Sequence, residues 1–169
     1  MNPDELMERA DLYRLAGRAV FSAKLLGGEL VLVDANEERC VSRVPALGGW
    51  ADRRRDAMFR LSGTFAERLE VLGETRAETW KEFTDAFDVE LNAQEDEESD
   101  KGEVMADLEQ MSAESGDSLE ESYARVVEDT EKIVRERWRQ ITAVAEALRE
   151  RRKLDGEEVA RIIEREETA

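Results

Sequence analysis

The sequence predicts a mainly α protein with a small β-hairpin and a long C-terminal helical region. Three observations carry that expectation. Proline occurs only twice in 169 residues, so little in the chain forbids helix. Glu, Ala, Arg and Leu, all strong helix formers, are abundant. Apolar residues recur at intervals of three and four over several long stretches, and one short segment alone reads convincingly as strand.

The first helix has clear start signals. Asn2 can cap it, Pro3 suits the first helical position, and Asp4 and Glu5 favour the positive end of the helix dipole. Leu6, Ala10, Tyr13, Gly17 and Val20 follow at helical spacing, and Gly27-Gly28 provides a stop. Residues 29–34 are rich in Val and Leu and form the strand, with Asn36 in a turn and residues 39–44 returning as its hairpin partner. Pro45 and Gly48-Gly49 mark a loop. A second helix is expected over 52–72, with Met58, Leu61, Phe65, Leu69 and Leu72 as its apolar stripe. Gly73 stops it, and a third, over about 74–91, presents Trp80, Phe83, Phe87 and Leu91.

The main break is the acidic stretch 94–103, in which Glu95, Asp96, Glu97, Glu98 and Asp100 crowd together. This reads as a solvated, mobile linker. A calcium loop is a poor alternative, because Lys101 and Gly102 fall out of register and Leu108 occupies the place of the closing glutamate. A short helix is expected from Gly102, with Val104, Leu108 and Met111 inward, then a turn at Ser115-Gly116-Asp117. Ser118 and Glu121 form a capping box. From Leu119 to Leu148 the apolar spacing is continuous, giving one long helix or two broken near Arg139. An unbroken helix over 118–153 would span roughly 50 Å, longer than a small domain is wide. Leu154-Asp155-Gly156 interrupts it. Asp155 and Glu158 then open a last helix with Val159, Ile162 and Ile163 inward, and its final residues from Arg165 should fray.

Composition excludes whole classes of function. With 25 Lys and Arg against 42 Asp and Glu, the net charge is −17, which opposes binding to nucleic-acid phosphates or anionic lipid. There is no histidine, so histidine ligation and histidine acid–base catalysis are impossible. The lone Cys40 can form no internal disulfide or cysteine zinc cluster. A reducing, cytoplasmic setting fits this cysteine usage. The acidic start is unlike a signal peptide, and no apolar run approaches the roughly 18 residues that span a bilayer. Phosphate-binding and nucleophile-elbow motifs are missing. Ser62 has no base to activate it, and Cys40 reads as a small half-buried thiol.

One segment carries more. Arg14-Leu15-Ala16-Gly17-Arg18-Ala19-Val20, followed by Leu25-Leu26-Gly27-Gly28, resembles the H-E-A-G-H-A-V…L-x-G segment of the FtsH-type zinc metallopeptidases, which are ATP-dependent AAA proteases. Three further segments follow in the family's order. Residues 61–74 look like its L-x-G-x-x-A-E-x-x-x-x-G-E helix. Residues 106–110 (Ala-Asp-Leu-Glu-Gln) look like its D-L-x-x-A element, and residues 148–159 look like its C-terminal helix–turn–helix ending in L-D-G-E-E. The likeness is weakest over 34–57 and 75–102. It implies a helical peptidase-like domain: residues 1–93 as an N-terminal peptidase-like half, 94–103 as the acidic linker, and 104–169 as the C-terminal half of the same domain.

In that family two histidines bind zinc, the glutamate between them activates water, and a later aspartate is the third ligand. Position by position, the histidines fall on Arg14 and Arg18 and the glutamate on Leu15. The third ligand alone survives, as Asp107. Zinc needs neutral or anionic donors. Arginine only donates hydrogen bonds and stays charged, and leucine takes no proton from water. The resemblance therefore implies a degenerate zincin motif: a pseudoenzyme with no catalytic residue, metal or other cofactor, serving as a binding, regulatory or assembly module. Its partners would be proteins, among them further copies of itself or an ATP-dependent protease. Arg14 and Arg18 could be solvated and paired with Asp11 or Glu8, or could hold Asp107 in place of the metal. Gly17 would admit the helix that carries Asp107. The three tryptophans read as core or interface anchors. Two other functions remain open: a carboxylate-based metal hydrolase using Asp107 with Glu67 or Glu109, and an unrelated helical adaptor.

Overall fold

A computed structural model of the chain describes residues 1–25, 29–85 and 100–168. It is mainly helical, with a small antiparallel sheet. The chain forms two compact units. Unit 1 comprises Met1–Pro45, Ser62–Arg76 and Glu131–Ala169; unit 2 comprises Ala46–Leu61 and Ala77–Thr130. Each unit thus draws on chain from both sides of the 94–103 stretch. None of the described helices is long and apolar enough to cross a membrane.

In unit 1, helix α1 (Pro3–Leu25) opens as its sequence requires. The Glu5 amide donates to Asn2 Oδ1 at 2.8 Å and the Asn2 amide to Glu5 Oε2 at 3.3 Å, a reciprocal cap. The helix is buried from Leu12 onward, so Leu6, placed on the apolar stripe by its spacing, is 41% exposed. The Gly27-Gly28 stop lies outside the described residues. Strand β1 (Glu29–Asp34) pairs antiparallel with β2 (Arg39–Arg43), in the register Val33 to Cys40, with an irregularity between Leu30 and Leu32. Asp34 Oδ1 closes the turn by accepting the amides of Asn36 (2.9 Å) and Glu37 (3.3 Å).

The expected hairpin is in fact part of a three-stranded sheet. Within the interruption expected at Leu154-Asp155-Gly156, Lys153–Asp155 form β3, which lies antiparallel against the other edge of β1. The Val33–Leu154 pair, both fully buried, fixes this register. Helix α6 (Trp138–Arg151) feeds β3 through Arg152, whose left-handed conformation (φ 65°) lets its amide donate to Leu148 O at 2.8 Å. Helix α7 (Gly156–Thr168) follows, with Glu158 N donating to Asp155 Oδ1 at 2.8 Å. It runs on to Thr168, past the point where fraying was expected. Tyr13 of α1 stacks on Trp138 at 5.4 Å between ring centroids. The core joins Val20, Phe21, Val33, Phe65, Ile141, Leu148, Leu154 and Ile163.

Helix α2 (Gly49–Leu72) gives its first half to unit 2 and its second half to unit 1. It starts three residues earlier than its spacing suggested. Asp52 anchors the preceding loop by accepting the amides of Leu47 (3.0 Å) and Gly48 (2.9 Å), and these two bonds, before any other influence, hold its carboxyl below the usual range. The third helix differs more. Residues 74–79 are not helical, and α3 starts at residue 80, described over 80–85. Thr79 and Glu82 form a reciprocal cap there, with Glu82 N donating to Thr79 Oγ1 (3.2 Å) and Thr79 N to Glu82 Oε1 (3.3 Å). Phe87 and Leu91 lie outside the described residues, as do 94–99 of the acidic stretch.

Within unit 2, helix α4 (Asp100–Ser115) begins two residues before Gly102, because Asp100 is anchored by Arg60, whose Nη1 donates to Asp100 Oδ1 at 3.1 Å. Helix α5 (Leu119–Glu136), whose last turns belong to unit 1, starts at the expected capping box: Glu121 N donates to Ser118 Oγ (3.1 Å) and Ser118 N to Glu121 Oε2 (3.2 Å). The break between α5 and α6 falls at Arg137, two residues before the expected place. The core of unit 2 holds Met58, Val104, Leu108, Met111 and Val126, and an aromatic group in which Tyr123 meets Phe83 at 4.7 Å and Trp80 at 5.4 Å. Trp50 stands apart: it is 37% exposed beneath the Arg54 guanidinium.

Candidate functional site

The positions singled out by the resemblance fall into two clusters, one in each unit. Arg14, Leu15 and Arg18 lie on α1 in unit 1. Leu15 is 3% exposed and belongs to the core. Arg14 is half-buried and ion-paired: its Nε donates to Glu67 Oε2 at 2.8 Å, and its Nη2 lies 3.2 Å from Asp11 Oδ1. Asp11 was an expected partner. Glu67, on α2, was known from the sequence only as a possible cation ligand. The Asp11 carboxyl is pushed up, first by burial and then by Glu38 and Glu67, against the pull of Arg14.

Arg18 lies across Gly63 of α2. A Cβ there would come within 2.9 Å of Arg18 Nε and 3.0 Å of Arg14 Cγ, so this glycine makes the room that both side chains occupy. Gly17 makes similar room one turn along, but its neighbour is α2 at Ser62 and Ala66, where a Cβ would approach the Ser62 carbonyl oxygen to 2.7 Å. The helix that Gly17 admits is therefore α2 rather than the one bearing Asp107. Exposed ion pairs contribute little. We expect Glu67→Gln to cost about 0.2–1 kcal/mol, read as a fall in the thermal midpoint of a few degrees at most; a much larger loss would mean that the pair is shielded from water.

Cys40, on β2, sits beside Ser22 and Arg18. Burial dominates and pushes its thiol up to about 11, although the hydrogen bond with Ser22 and the charge of Arg18 pull the other way. The thiolate fraction at pH 8 is then about one hundredth of that of an ordinary cysteine, and alkylation by iodoacetamide should be slower by that order. Labelling at the rate of a free thiol would contradict this.

Asp107 lies in unit 2, on α4, and is 1% exposed. Arg53 Nη1 donates to its Oδ1 over a long 3.5 Å, and its Oδ2 has no hydrogen-bond partner among the described residues. The carboxylate of Asp56 lies alongside. Burial first, then the neighbouring Asp56 carboxyl, push the Asp107 carboxyl up to about 8, while Arg53 opposes the shift. The site thus favours the protonated form of Asp107 well beyond the usual aspartate range. Around the pair, Arg60 Nε donates to Asp56 (3.2 Å), and its Nη atoms reach Asp100 (3.1 Å) and Glu103 (4.0 Å).

The partners of Asp107 on α2, Arg53 and Asp56, escaped the sequence reading. The signal was present: Arg53, Asp56 and Arg60 recur at the spacing of one helical face. Glu109, the proposed second ligand, is exposed two residues beyond buried Asp107, and Glu67 is taken by Arg14. Among the described residues, no group of three or more Asp, Glu, Cys or His side chains is placed to hold a metal ion. Chemically, the first cluster is a guanidinium clasped by carboxylates, and the second is a buried aspartate, Asp107, beside the part-exposed Asp56, with Arg53 and Arg60 around them. No family model matches the chain, and no curated protein matches its sequence.

Proposed function

We propose that the protein is a catalytically inactive, FtsH-type peptidase-like scaffold that acts as a binding, regulatory or assembly module for other proteins. One observation carries the reading. At the position of the first zinc-binding histidine, the Arg14 guanidinium is clasped by Glu67 and Asp11, and the neighbouring position of the water-activating glutamate is filled by core residue Leu15. A fixed cation and an apolar side chain there oppose both metal binding and water activation. The partners are proteins, either further copies of the chain or an ATP-dependent protease, in the cytoplasm; the charge of −17 disfavours nucleic acid.

Purified full-length protein, incubated with unfolded casein with and without added zinc, is expected to leave the casein intact. Crosslinking in a native cell extract, with the mass of the pure protein followed over a range of concentrations, is expected to give a discrete protein complex. Cleavage that a chelator abolishes would overturn the inactive reading. A strict monomer that captures no protein would overturn the binding role.

A further inference from the structure

We draw no further inference here: the strongest candidate, the exposed apolar knob of Leu47 and Trp50 at the start of α2 in unit 2, carries nothing because nothing in the structure shows what covers it.

Discussion

Gly156→Ala is expected to destabilise unit 1 by about 3 kcal/mol, a fall in thermal midpoint of roughly 6–12 °C. Gly156 is the first residue of α7 and directly follows β3. A Cβ at this position would fall far inside van der Waals contact distance of the Leu30 carbonyl oxygen. The obstacle is backbone, which cannot swing aside as the tip of a side chain can. Leu30 belongs to β1, the central strand, and any retreat must disturb its pairing with β2, with β3, or with both. The first helical turn otherwise accepts alanine readily, so helix propensity would favour the substitution. The loss is therefore steric in origin, and scanning calorimetry of the two proteins at one pH would measure it. An unchanged or raised midpoint would mean that α7 does not begin against β1.

That contact also marks the limit of what the sequence discloses. Capping pairs are local, and Asn2–Glu5, Ser118–Glu121 and Asp155–Glu158 are legible because both members sit within one turn. Strand β1 is legible because its run of Leu and Val is bounded by turn residues. Strand β3 is not: three residues carry no period, and Leu154 becomes strand only because Val33 lies opposite, more than a hundred residues away in sequence. The start of α3 was within reach, since Thr79 and Glu82 have capping-box spacing, although the sequence reading started the helix directly after the Gly73 stop. Exposure of Leu6 was beyond reach, because spacing identifies a helix face without saying how much of it is covered. In the first cluster, Asp11 was legible as a partner of Arg14 because the two sit within one helical turn. Glu67 as the partner of Arg14, and Asp56 as the neighbour of Asp107, depend on which face of α2 each helix meets, and that is a tertiary fact.

Asp107→Asn is expected to stabilise the protein, and to do so more as the pH rises. In the folded chain the Asp107 carboxyl keeps its proton until about pH 8, whereas an ordinary aspartate loses it near 3.8. Between those values the folded state binds one proton more than the unfolded state, so this group's contribution to stability falls as pH rises and is fully unfavourable above pH 8. Asparagine has nearly the same shape and carries no charge at any pH. Near pH 4 the two proteins should differ little. Near pH 9 the variant should be more stable by at least about 2 kcal/mol, read as a midpoint higher by roughly 5 °C or more. A variant less stable than the parent at pH 9, or a difference constant with pH, would show that the Asp107 carboxyl is not raised above the ordinary aspartate range in the folded chain. Asp56→Asn separates the causes: it removes the neighbouring charge but leaves Asp107 buried. The Asp107 midpoint, followed by carboxyl carbon resonances, should fall from about 8 yet stay above 3.8, because burial is the larger cause.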